Sequence, residues 1–134
     1  MTSLIVDASV AVKWFFEEPG GKDALELRGD DVEFAAPDLV IAEIGHAAWK
    51  KWRRKEISAE VAMFAVRRAP LLFSSLVSIL DLTGEASTLS INLAHPIYDC
   101  FYLALAQRES APLATADDAM IAAARKAKVK VRRI

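Results

Sequence analysis

The chain has little of what builds covalent cross-links and soft-metal sites. Its 134 residues include one cysteine, Cys100, and two histidines, His46 and His95. A lone cysteine excludes an internal disulfide and a cysteine-rich zinc site, and reads as a small buried hydrophobe. His46 reads as a surface or partner-facing residue, and His95, which precedes Pro96, as part of a loop. Gly20 and Gly21 lack the spacing of a phosphate-binding loop and mark a turn. Long apolar runs are missing too, because Asp7, Lys13, Glu43 and Lys50 interrupt every candidate for a membrane span. No basic segment leads into an apolar signal region at the N-terminus, so a cytoplasmic protein is expected. There is no internal repeat, and the length leaves room for one domain, residues 1–134, with no second.

What is present is apolar surface in excess. The hydrophobic fraction is 54% and the mean hydropathy +0.23, high for so short a chain and suited to an oligomer or a partner-covered surface. Net charge is only −1, yet five of positions 50–55 and six of positions 125–133 are Lys or Arg, together 11 of the 17 basic residues. Either cluster alone can be a solvated face; both beside an acidic site favour a polyanionic substrate.

The local patterns alternate between strand and helix. Leu4, Ile5 and Val6 read as a strand buried on both faces, and further strands are predicted at 32–35, 76–80, 113–115 and 129–131. Helices are predicted at about 9–16, 22–28, 37–54, 58–69 with Ser58 as N-cap, 85–94, from Pro96 onward, and 117–127. Connections too long for hairpins argue for an α/β fold with a parallel sheet and helices on both faces. Ligands in such sheets bind beyond the carboxyl ends of the strands, where Asp7 and Asp117 fall.

Four acids, Asp7, Glu43, Asp99 and Asp117, each lie against an apolar segment. Local roles compete for three of them: Asp7 or Ser9 as a helix cap, Asp117 as an N-cap, and Asp99 as a favourable charge in a first helical turn. Glu43 resists such a reading, since it lies inside a helix on a face shared with Leu39 and Ala47 that looks buried. Gathered carboxylates repel and raise one another's pKa, so a bound cation is the leading explanation for a cluster. With oxygen ligands only, and with Ser9 and Thr115 adding hydroxyls, that cation would be Mg²⁺ or Mn²⁺.

The segments Asp7-Ala8-Ser9-Val10-Ala11-Val12-Lys13-Trp14-Phe15, Pro37 to Glu43, His95-Pro96-Ile97-Tyr98-Asp99-Cys100, Tyr102 to Ala106 and Thr115-Ala116-Asp117 resemble, in order and spacing, the successive motifs of PIN-domain ribonucleases of the VapC toxin type. The resemblance covers essentially the full chain. It implies a three-layer α/β/α fold, a Mg²⁺- or Mn²⁺-dependent endoribonuclease, a homodimer, and an antitoxin that blocks it. Carried over, Asp7, Glu43, Asp99 and Asp117 form the site, with Asp7, Asp99 and Glu43 holding the metal directly or through water, and Asp117 completing the site or holding a second ion. Ser9 and Thr115 match the accompanying hydroxyls; Asp118 is an extra acid. Two rivals stay open: an RNA-binding or regulatory module of the same fold without useful catalysis, and a phosphohydrolase with Asp7 as nucleophile, whose usual second aspartate is replaced by Ser9. Trp14, Phe15, Phe16, Trp49 and Trp52 are more bulk than one small core absorbs, so some should lie at an interface, with an antitoxin segment expected against Trp14 or Trp49.

Overall fold

A computed structural model describes residues 2–29 and 31–134. Its centre is a five-stranded sheet of β1 (Thr2–Val6), β2 (Val32–Pro37), β3 (Ser75–Val77), β4 (Leu113–Thr115) and β5 (Val131–Arg133), in the order β3-β2-β1-β4-β5. All four pairings are parallel. Helices α1 (Ala8–Ala11), α2 (Gly21–Leu27), α3 (Leu39–Arg53), α4 (Ala59–Arg68), α5 (Ile79–Leu93), α6 (Ile97–Glu109) and α7 (Asp118–Lys126) flank the sheet, making the three-layer α/β/α arrangement expected. The apolar run Leu4-Ile5-Val6 forms the middle strand and is buried on both faces, as a strand covered by helices above and below must be. Between β1 and β4 the winding reverses, which opens a crevice at their carboxyl ends.

Helix α6 supplies much of the core: every residue from Cys100 to Ala106 is buried. A helix apolar all round belongs inside, and this one packs against α5 on one side and the sheet on the other. Ser58 caps α4, accepting the Val61 amide at 3.1 Å, as predicted.

Four boundaries differ from the sequence reading. The strand expected at 76–80 is β3, ending at Val77, and the helix expected at 85–94 begins six residues earlier. Ser78 accepts the Leu80 amide at 3.2 Å, and Asp38, from the β2–α3 turn, accepts the Ile79 amide at 3.1 Å. Two caps, one of them from a distant turn, thus convert the end of an apolar run into a helix start. The last strand is displaced from 129–131 to Val131–Arg133, because Val129 bonds back to Ala124 at 2.8 Å in closing α7. The first helix does not run to residue 16: after one turn it tightens into a 3₁₀ turn over Val12–Trp14. That change of pitch lets Trp14 and Phe16 both turn inward. Trp14 packs on Phe34 with ring centroids 5.0 Å apart, and its indole N–H donates to the Ala24 carbonyl at 2.8 Å. Trp14 is thus half-buried and lines a groove with Phe15 and Phe16, while Trp49 and Trp52 are 44% and 46% exposed.

Candidate active site

Asp7 closes β1 and caps α1, and it is buried to 4% exposure. Its Oδ1 accepts the Ser9 hydroxyl at 2.5 Å and the Val10 amide at 3.3 Å, while Oδ2 accepts the Thr115 hydroxyl at 2.5 Å. The same hydroxyl oxygens then accept backbone amides of the β4–α7 turn, Ala116 onto Ser9 at 3.0 Å and Asp117 onto Thr115 at 3.1 Å. Each hydroxyl has one proton and gives it to the carboxylate. Ser9 and Thr115 are in this way a clasp that joins β1 to β4 through Asp7. Burial pushes the Asp7 carboxyl up to about 6; the Ser9 and Thr115 hydroxyls and the Val10 amide pull it down, and the Asp117 charge adds to the rise.

Glu43 lies one turn into α3, half-buried, as its apolar flanks implied. Tyr102 donates its hydroxyl to Glu43 Oε1 at 2.6 Å. Burial raises the Glu43 pKa, Tyr102 opposes this, and the charges of Asp7 and Asp99 raise it further. Glu43 therefore feels the charges of both Asp7 and Asp99, and Asp7 feels that of Asp117. Asp99, in the first turn of α6, has its Oδ2 2.6 Å from His95 Nε2. Asp117 is exposed and caps α7 by accepting the Ala119 amide at 3.0 Å. Asp118 is tied to Arg133 at 2.7 Å.

The four acids are thus linked in a chain of charge interactions, Asp117 with Asp7, Asp7 with Glu43, and Glu43 with Asp99, and each is held by a different partner. Among the described residues, no three His, Cys, Asp or Glu side chains are grouped closely enough to hold one ion. The donor set nonetheless fits a hard cation chemically: it is made of oxygens and includes the buried carboxylate of Asp7. Mg²⁺ keeps several waters and takes only one or two carboxylates directly, so it does not require a closed cage.

Beside Glu43 runs a groove of about 420 Å³ lined by Ser9, Glu43, His46, Lys50 and Tyr98, among others. His46 is exposed and stacks on Trp49 with centroids 5.8 Å apart. Of the basic clusters, 50–55 reaches this groove through Lys50. The 125–133 cluster is divided: Lys128 and Lys130 lie at the amino ends of β4 and β5, beside Pro112, while Arg133 lies at the carboxyl end. It is not one basic face. Sequence reasoning missed the site contacts of His95 and Tyr102. The spacing of four from His95 to Asp99 was visible, whereas nothing local links Tyr102 to Glu43.

A family model, the PIN domain, matches residues 4–126. The chain belongs to the PIN domain family. Solved structures similar to this PIN domain include PAE2754 from Pyrobaculum aerophilum, 19% identical with a TM-score of 0.68 over 97% of this chain and 83% of that one. VapBC2 from Rickettsia felis, bound to a DNA fragment from their promoter, is 15% identical with a TM-score of 0.68 over 99% of each chain. FitAcB from Neisseria gonorrhoeae is 15% identical with a TM-score of 0.64 over 96% of this chain and 95% of that one. At these identities the likeness is one of fold. No curated protein sequence matches the chain. Among the described residues, no helix is long and apolar enough to cross a membrane.

Proposed function

We propose that this PIN domain is a Mg²⁺- or Mn²⁺-dependent endoribonuclease, the toxin of a toxin–antitoxin pair, acting in the cytoplasm as a homodimer. The observation that carries the reading is Asp7: a buried carboxylate at the switch point of a parallel sheet, clasped by two hydroxyls and within electrostatic reach of Asp117 and of Glu43, which in turn feels Asp99. VapBC2 and FitAcB, similar in fold across nearly the whole chain, support the toxin assignment.

In this reading Asp7 and Asp99 hold the ion with Glu43, directly or through water, and Asp117 completes the site at its exposed edge. Bound there, a divalent cation supplies polarisation of a phosphate and a lowered pKa for the attacking water. Ser9 and Thr115 fix both oxygens of Asp7, and His95 fixes Asp99. Lys50 gives the groove beside Glu43 a cation for the RNA backbone, and the exposed Tyr98 ring offers a base a stacking surface. The antitoxin is assigned to an apolar groove of about 370 Å³ between α3 and α4, lined by Trp49, Trp52, Met63 and Val66. Leu80 and Ile91, exposed and eleven residues apart, share one face of α5 and suit the second copy.

Purified protein incubated with total RNA and Mg²⁺, Mn²⁺ or chelator tests the reading. Metal-dependent cleavage leaving 5′-phosphate ends is expected. Cleavage undiminished by chelator, or 2′,3′-cyclic phosphate ends, refutes it; RNA binding without cleavage under all metal conditions supports the non-catalytic module instead.

A further inference from the structure

Tyr102 is the largest of the fully buried side chains, 1% exposed, and its position is more specific than packing requires. It stands three residues after Asp99 on α6, on the same side of that helix by the i, i+3 rule. From there its hydroxyl reaches across to α3 and donates to Glu43 Oε1 at 2.6 Å. The Ala8 backbone amide, next to Asp7, is directed at the same hydroxyl oxygen. One phenol oxygen therefore meets the three elements that carry Asp7, Glu43 and Asp99. A phenylalanine would fill the same core volume, and the hydroxyl has no role in packing. Its geometry serves Glu43, a long side chain with several rotatable bonds that only this bond ties down among the contacts described.

We propose that Tyr102 is a positioning residue of the site, holding the Glu43 carboxylate in place so that Glu43 meets, directly or through water, a divalent cation bound beside Asp7 and Asp99. The inference rests on the metal-dependent reading above. Partners that orient a metal ligand through a hydrogen bond typically change affinity by 10- to 100-fold when removed.

The test uses four proteins: the parent, Tyr102→Phe, Glu43→Gln and the double variant. Urea midpoints without metal report the contact, and Mn²⁺ affinity, measured with the metal alone, reports the role. The contact predicts non-additive midpoints. The role predicts about 10-fold weaker Mn²⁺ binding for Tyr102→Phe in the parent background, and less than about 2-fold in the Glu43→Gln background. Additive midpoints overturn the contact. A folded Tyr102→Phe protein with parental Mn²⁺ affinity overturns the role and leaves Tyr102 as core filling. A parent that takes up no Mn²⁺ overturns the metal reading itself, and Tyr102's role falls with it for that separate reason.

Discussion

The crevice at the carboxyl ends of β1 and β4 and the α3–α4 hairpin are opposites. In the crevice, charged oxygens lie among apolar neighbours: Asp7 is 4% exposed. On the hairpin, apolar side chains lie in water among cations: Trp52, Met63 and Phe64 are 46%, 48% and 58% exposed, with Arg68 over the Phe64 ring at 5.7 Å. Each arrangement costs free energy in the isolated chain, and in the proposed reading a cation offsets the first and an apolar partner the second. The two regions differ in what they do to folding. Burying Asp7 works against the folded state directly, whereas the exposed hairpin leaves folding intact and lowers solubility.

The comparison breaks most visibly at Asp7. Asp7→Asn is expected to lower RNA cleavage by at least the roughly 10²-fold typical of losing one charge-stabilising group, while melting no lower than the parent in the absence of metal. Full cleavage by this variant reduces Asp7 to a helix cap. A pH series sharpens the same contrast. The Asp7 carboxyl holds its proton up to about 6 in the folded chain against 3.8 for the ordinary group. Folding therefore takes up a proton in that window, and metal-free stability should fall as pH rises through it, by on the order of 3 kcal/mol. Glu43 shifts in the same direction and adds to the fall. Urea denaturation of the parent and Asp7→Asn from pH 4 to 7 isolates the Asp7 share; parallel curves contradict it.

A substitution on the hairpin should do the reverse. Trp52→Ala is expected to leave cleavage unchanged and to weaken binding of the antitoxin by about 2 kcal/mol, the scale of an interface anchor. Calorimetric titration with the co-purified partner decides it, and unchanged affinity moves the interface off this groove. The smallest effect belongs to Lys50, the basic residue of the groove. Lys50→Ala should reduce the magnitude of the slope of log affinity for single-stranded RNA against log salt by about 0.7, one phosphate contact. An unchanged slope places the RNA elsewhere.

How far these regions were legible in the sequence follows from how local their causes are. Asp7, Asp99 and Asp117 stand at element ends marked by short patterns, and Leu4-Ile5-Val6 announces a buried strand by itself. Glu43 was legible as a charge inside an apolar helix. The start of α5 was not, because one of its caps is Asp38, 41 residues away from Ile79. Tyr102 lies in a run buried from Cys100 to Ala106, where nothing distinguishes a hydroxyl with a partner on another helix from an aromatic that only fills space. The inward packing of Trp14 on Phe34 was not legible either, because a regular helix was extended through residues that tighten into a 3₁₀ turn. The basic residues at 125–133 are close in sequence yet spread over the last turn of α7, the amino end of β5 and β5 itself, so sequence proximity does not make them one face.

The clasp on Asp7 also sets an order of events during synthesis. Ser9 is at hand from the start, but Thr115 follows Asp7 by 108 residues, and β4 is the neighbour that β1 lacks on one side until then. A chain emerging from the ribosome can pair β1 with β2 early, whereas its central strand keeps an open edge through most of translation. The acidic crevice is therefore among the last features to form, and a prematurely terminated chain that stops before Thr115 has Asp7 but no clasp to hold it.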